Sequence, residues 1–219
     1  EDPQCKSQTP GSLAVNSLFQ AGTLVFKSAS NTGHASTTDC TVGAPGAAIG
    51  AFTVGAHGHP PADWNGTETN VRTSPIDVVS ARGGTTTEGG RRSIIDLTGF
   101  SWRVGLFDIS GGYDNASFGT SVATPTVTGA ALDFIDMYKR VKVSNLIDSP
   151  GMLYVNMLMM GDRQGASGKL TSQFDNLYGA GRMMMRMFTN SGIDAPGAWA
   201  SNFVCVGQDE VVTIPINSG

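Results

Sequence analysis

Gly119-Thr120-Ser121-Val122-Ala123-Thr124-Pro125-Thr126-Val127-Thr128-Gly129 is the stretch on which the reading of this chain turns. A short, small-residue run leads into an apolar segment with helical spacing, so a helix is expected from Ser121 to about Tyr138. Ser121 stands at the junction. A helix N-terminus carries unpaired N–H groups and a partial positive charge. A Ser there can simply cap the helix. It can also be a nucleophile, because the neighbouring N–H groups can stabilise an oxyanion. Pro125 is expected to fall within the first turn, where its missing N–H is tolerated.

Working outward, Thr23–Phe26, Ile49–Val54, Ile94–Leu97 and Trp102–Ile109 are short apolar runs and read as strands. Residues 12–20 read as a short helix with Ser12 as N-cap, ended by Ala21-Gly22. Residues 150–160 and 177–188 read as two more helices. Both are rich in Met. Met157, Met159, Met160, Met183, Met184, Met185 and Met187 suit core packing, with an adaptable binding surface as the other reading. Residues 28–48, 57–93 and 110–120 read as loops. Strands alternating with helices argue for an α/β fold with a mostly parallel sheet. The expected organisation is a loose polar arm over residues 1–11 and one domain over 12–190. A tail over 191–219 follows, in which Val204–Ile216 starts a further β-element.

Composition narrows the function classes. The chain has 219 residues, 40% hydrophobic and 15% charged, so it is globular and long enough for one sizeable core. Its 29 Gly show no three-residue period, which excludes collagen and points to many tight turns. A net charge of −4 and a pI near 5.2 argue against a basic nucleic-acid face. No apolar run reaches the ~18–20 residues that span a bilayer. The chain starts Glu1-Asp2-Pro3 without signal peptide or initiator Met, and is expected to be a processed product or a piece of something longer. Cys5, Cys40 and Cys205 show no C-x-x-C spacing, so zinc is not expected. One disulfide plus a thiol and three buried thiols both remain open. Low charge and a Gly/Ser/Thr-rich surface lean towards a secreted protein. Asn65-Gly66-Thr67 and Asn115-Ala116-Ser117 match the short glycosylation acceptor pattern. His57-Gly58-His59 sits in a Gly/Pro-rich run and is expected to face solvent; no carboxylate or Cys cluster supports a metal there.

The decisive stretch resembles the serine-nucleophile motif of the subtilisin-like serine proteases, G-T-S-x-A-x-P-x-x-x-G, with every fixed position filled. Thr41-Val42-Gly43-Ala44-Pro45-Gly46, followed by Phe52-Thr53-Val54-Gly55-Ala56, is similar to the family's substrate-pocket loop and the strand after it. Ser28-Ala29-Ser30-Asn31-Thr32-Gly33 is similar to the segment bearing the oxyanion-hole Asn. Tyr178-Gly179-Ala180-Gly181-Arg182 is similar to the segment opening the family's late helix. Order and spacing agree, over roughly residues 12–188. The resemblance implies a three-layer α/β fold with a mostly parallel sheet, here without its N-terminal part.

It also implies roles. Ser121 would be the nucleophile, and the side-chain amide of Asn31, with the Ser121 N–H, would hold the oxyanion. Ser28, Ala29, Ser30 and Gly43 would line the pocket for the residue before the cleaved bond, with Gly119 and Thr120 also at the substrate. Departures from the family pattern are Ser30 where Gly is usual before the Asn, Val122 where Met is common, and Thr126 where His is common. The family's base His and orienting Asp lie N-terminal to all of these segments. They would come from a preceding segment of the same protein or from a second chain. His34, close to Asn31 in sequence, is the candidate substitute base. No cofactor is implied, but such proteases often bind structural calcium, for which Asp96, Asp108 and Asp114 are the candidates. The implied activity is peptide-bond hydrolysis by the complete enzyme, the chain alone being inactive. The rivals are an inactive, peptide-binding relative and a structural module whose helix is merely Ser-capped.

Overall fold

A computed structural model describes residues 5–33, 40–58, 74–84, 94–102, 106–107, 110–114, 117–140, 149–162 and 176–184. All belong to one compact unit, Glu1–Met184. The expected strand at Val204–Ile216 and the tail lie outside the described residues.

The first helix, α1, runs Pro10–Gln20. Its N-cap is Thr9, whose Oγ1 accepts the Ser12 N–H at 3.2 Å, and Pro10 occupies the first turn, where no N–H is needed. This corrects the expected cap at Ser12. Ser12 is inside the helix and fully buried, with its hydroxyl donated to the Lys6 carbonyl. The helix stops at Ala21-Gly22 as expected, with Gly22 at φ +95°. The arm before it is not loose throughout. Cys5 and Ser7 are buried, Cys5 forms a disulfide with Cys40, and the Cys5 N–H donates to the Val42 carbonyl. Cys205 lies outside the described residues.

Strands β1 (Val25–Ser28), β2 (Ala51–His57) and β3 (Leu97–Phe100) pair in parallel. Every residue of β2 is buried, which is why it reads as an unbroken apolar run and not as an alternation. The short hairpin of β4 (Leu106–Phe107) and β5 (Tyr113–Asp114) stands apart from this sheet. The expected third strand at Ile94–Leu97 begins later, at Leu97. Ile94 and Ile95 instead pack into a cluster with Cys5, Ala29, Val42, Ala47 and Ala81.

Helix α2 spans Thr120–Arg140 and packs against β1, β2 and β3. Gly99 on β3 allows the approach: a Cβ there would lie 2.6 Å from the Ala123 carbonyl oxygen and 2.7 Å from Val127 Cγ2. Pro125 lies inside this helix, beyond the first turn expected for it. Its missing N–H leaves the fourth residue back, Ser121, without an i+4 donor. Helix α3 (Pro150–Met159) is capped by Ser149 and lays Tyr154 edge-on to Phe52 of β2.

The expected helix over 177–188 is absent from its described part, 177–184. There the chain makes a turn and then strand β7 (Arg182–Met183), parallel to β3 and antiparallel to β6 (Gly161–Asp162). The Met run favours helix, but Gly179 and Gly181 sit at φ +56° and +133°. Each passes so close to a neighbouring backbone, Ile95–Asp96 and Asp162 respectively, that no side chain would fit. Arg182 is buried, donating to the Ser74 carbonyl and stacking 4.5 Å over the Tyr178 ring. The sheet order is β1-β2-β3-β7-β6. It is a mostly parallel sheet flanked by helices, the α/β class expected. No helix among the described residues is long and apolar enough to cross a membrane.

Candidate active site

Parallel strands run in the same direction, so the chain leaves them at a common edge, and that edge is where α/β folds build sites. The segment leaving β1 carries Ser28 to Gly33. It is pinned from two sides. The Ala29 N–H donates to the Val54 carbonyl, the Gly43 N–H to the Ala29 carbonyl and the Ala81 N–H to the Ser30 carbonyl. Thr32 Oγ1 donates to the Thr41 carbonyl at 2.8 Å, and Thr41 Oγ1 to the Gly33 carbonyl at 2.8 Å. Residues 41–43 are held in turn by the Cys5–Cys40 bridge and by the Cys5 N–H, which donates to the Val42 carbonyl.

The nucleophile candidate arrives from the other direction. Gly119, at φ +103°, supplies the carbonyl that accepts the Val122 and Ala123 N–H groups, so it occupies the cap position of α2. Ser121 is the second helical residue and does not cap the helix. It is exposed, and no acidic residue stands in the first turn to neutralise the helix N-terminus.

The two segments meet through Thr120. Its N–H donates to Asn31 Oδ1 at 3.0 Å and its hydroxyl donates to the same oxygen at 2.8 Å. A backbone N–H can only donate, so the oxygen of the Asn31 amide must face Thr120, and the Nδ2 donors point elsewhere. Gly119 is required here as well: a Cβ on it would lie 3.0 Å from both Asn31 Nδ2 and Oδ1. Ser121 and Asn31, 90 positions apart in sequence, are thus joined across one residue. Thr120 itself is 1% exposed, beneath the surface that Ser121 presents.

The pocket candidates also come together. Ser30 keeps a side chain at φ +108°, a region that disfavours any Cβ. That side chain stands over Gly43: a Cβ added to Gly43 would lie 3.7 Å from Ser30 Cβ and 3.9 Å from its Oγ. A residue not singled out from the sequence contacts one of the pocket candidates, Ser28. Lys27 Nζ donates to the Ser28 carbonyl at 2.7 Å and to Ser28 Oγ at 3.0 Å. The expected strand ended at Phe26 and residues 28–48 read as loop, so no sequence signal pointed to this contact.

His57 departs most from expectation. Instead of facing solvent in a loop, it ends β2 and is 1% exposed. Its Nδ1 lies 2.9 Å from Ser74 Oγ, and its ring meets Phe100 edge-on at 5.9 Å. Among the described residues Nε2 has no hydrogen-bond partner. Burial, and then the Arg182 guanidinium, lower its pKa to about 3. The imidazole is therefore neutral at ordinary pH and closed to solvent. His34 and His59 lie outside the described residues. Of the calcium candidates, Asp108 does too, and the side chain of Asp114 is likewise not described. Asp96 is buried, with Oδ2 accepting the Thr53 N–H at 2.6 Å and Oδ1 accepting the Tyr154 hydroxyl, so it does not fit a cation site. No group of three or more His, Cys, Asp or Glu side chains is placed to hold a metal among the described residues.

A subtilase family model matches residues 2–181. No curated protein matches the chain. Among solved structures, S41 psychrophilic protease is 23% identical with a TM-score of 0.56, covering 80% of this chain and 52% of that one. Sphericase is 23% identical with a TM-score of 0.59, covering 84% and 56%. A cold adapted subtilisin-like serine proteinase is 20% identical with a TM-score of 0.51, covering 77% and 48%. The chain thus spans about half the length of the solved structures it matches. The identities are low enough that they speak to fold alone, but the family match extends across most of the sequence and includes the Asn31, Gly43 and Ser121 segments: the chain belongs to the subtilase family.

Proposed function

We propose that the protein is a serine endopeptidase, and that this chain supplies its nucleophile, oxyanion hole and part of its substrate pocket. The observation that carries the reading is the clasp of Thr120 on Asn31 Oδ1, which fixes the amide at the helix start beside an exposed Ser121 and leaves its Nδ2 donors out of the clasp. Ser121 Oγ attacks the carbonyl carbon of the peptide bond while its proton passes to a base. The developing oxyanion accepts from Asn31 Nδ2 and the Ser121 N–H. The C–N bond breaks, the amine leaves with the proton, and water then hydrolyses the acyl-serine. No cofactor is needed.

Buried and neutral, His57 does not suit the role of base. The base and the Asp that orients it come from a preceding segment or from a second chain. The Cys5–Cys40 disulfide supports an oxidising, extracellular setting. The test uses the complete protein. A fluorophosphonate probe labels Ser121 and fails on Ser121→Ala. Asn31→Ala lowers kcat about 100-fold or more with little change in KM, because its donor acts in the transition state. An unlabelled protein that still binds peptide would make it the inactive relative. The chain alone turns over no chromogenic peptide; turnover abolished by Ser121→Ala would bring His34 forward as base.

A further inference from the structure

The arm before α1 is tied into the candidate site. The Cys5–Cys40 disulfide and the bond from the Cys5 N–H to the Val42 carbonyl fix one end of it. The other end is fixed on α1, where Thr9 caps the helix and the Ser12 hydroxyl donates to the Lys6 carbonyl. Cys5 sits at φ +59°, a left-handed backbone that a non-glycine residue keeps only where its surroundings hold it. The bridge and the Val42 bond do so, together with a buried apolar cluster that includes Ala29, Val42 and Ala81.

From Cys40 the tie runs into the segment that carries Asn31. The Thr41 carbonyl accepts the Thr32 hydroxyl, and the Thr41 hydroxyl donates to the Gly33 carbonyl. Two residues on, the Gly43 N–H donates to the Ala29 carbonyl. Thr41 is also bonded twice to Arg82, its N–H donating to the Arg82 carbonyl and its Oγ1 accepting the Arg82 N–H. Gly84 backs Cys40 closely: a Cβ on it would lie 2.9 Å from Cys40 Cβ. The Asn31 amide has a second anchor in the Thr120 clasp. Release of the bridge therefore loosens the Gly43 loop first and the oxyanion amide least.

We propose that Cys5, through its bridge to Cys40, is a positioning residue for the substrate pocket, so that a small thiol turns substrate binding off reversibly. The proposal rests on the peptidase reading and adds a control element to that same site. The step is thiol–disulfide exchange. Two thiol groups of the reductant give up one electron and one proton each, the S–S bond of the bridge breaks, Cys5 and Cys40 become thiols, and the reductant leaves as a disulfide. A loop already held in its binding conformation has less ordering left to undergo when substrate arrives, so its release falls on KM.

The experiment uses the complete protein in three states: oxidised, reduced with dithiothreitol, and reoxidised. The Cys5→Ser/Cys40→Ser variant is measured beside them, and mass spectrometry reads the state of the bridge. Chromogenic peptides give kcat and KM. Fluorophosphonate labelling of Ser121 reads the nucleophile without a peptide in the pocket, and near-UV circular dichroism reads the fold. Reduction is expected to raise KM about tenfold or more, with kcat and the labelling rate kept within about threefold and the dichroism retained. Reoxidation restores KM. The double variant has the raised KM and no longer responds to thiol; if it does not fold, the reduced wild type decides. A KM unmoved by confirmed reduction overturns the proposal. So does loss of labelling and dichroism together, which would make the bridge a support of the whole fold, and so does a folded double variant that still responds to thiol. Each of these leaves the peptidase reading intact. Oxidised protein that cleaves no peptide and is not labelled overturns the peptidase reading, and this proposal with it.

Discussion

Acidification acts on the fold through one imidazole whose environment is unusually hostile to charge. His57 is buried beside the Arg182 guanidinium, and its pKa falls from the ordinary 6.5 to about 3. The sign follows from proton uptake. Above pH 6.5 the ring is neutral in both folded and unfolded chains, and its contribution to stability is fully present. Between pH 6.5 and 3 the unfolded chain binds a proton that the folded chain refuses, so stability is lost as pH falls. Linkage puts the loss at about 2 kcal/mol by pH 5, about 3 kcal/mol by pH 4 and about 5 kcal/mol in full. Several carboxylates titrate in the same range, so the measurement is a difference. Denaturant unfolding of the complete protein and of His57→Gln is followed at pH 7, 5 and 4. The variant is less stable at pH 7, having lost the contact with Ser74, but its disadvantage shrinks by about 2 kcal/mol at pH 5. A disadvantage that stays constant across this range, or a His57 resonance that titrates near 6.5, refutes the reasoning.

Three further outcomes follow from the same geometry. Ser30→Gly removes a Cβ from a backbone at φ +108° and should raise stability by about 1 kcal/mol, read as a higher thermal midpoint, whereas Ser30→Ala should not. Gly99→Ala forces a methyl to within 2.6 Å of the Ala123 carbonyl oxygen. It should push α2 off the sheet, costing about 3 kcal/mol in unfolding free energy and lowering kcat through displacement of Ser121. The Cys5–Cys40 bridge closes a loop of 35 residues, so replacing both Cys by Ser should cost roughly 4 kcal/mol of stability, measured by denaturant unfolding under oxidising conditions.

Legibility in the sequence depended on how local the cause was. The candidate nucleophile segment is contiguous, and its small residues mark both a close approach and a helix start, so the helix that begins beside Ser121 could be read directly. The cap at Thr9 was missed because Pro10 stops nothing at the first helical position; the helix simply began earlier than its first apolar residue. His57 was misread because Gly58 and Pro60-Pro61 suggested a loop, while the strand continues through it by pairing with Phe100 and by the Ser101 N–H to the His57 carbonyl. Its burial is decided by Ser74, Phe100 and Arg182, which are distant in sequence. The Met run after Gly181 shows propensity overridden in the same way, by a passage between two backbones that only Gly can make.

The clasp at Thr120 bears on how much of the proposed oxyanion site this chain builds by itself. An oxyanion donor is effective when its direction is set before the reaction begins. Asn31 is set by groups that belong to this chain alone: two donors from Thr120 on one oxygen, the absent Cβ of Gly119, and a backbone held by Val54, Gly43 and Ala81. None of these contacts waits for a further segment. If Asn31 serves as the proposed donor, the oxyanion hole is therefore formed in this chain before base and substrate arrive. The oxyanion hole and the base should then separate in kinetics. Thr120→Val, which keeps the backbone donor and removes the hydroxyl one, should lower kcat of the complete enzyme about fivefold, the effect of one hydrogen bond of about 1 kcal/mol, with KM and the pH profile of the base unmoved. A shift of that pH profile would mean that Thr120 acts through the base, and that the two halves of the site are not independently organised.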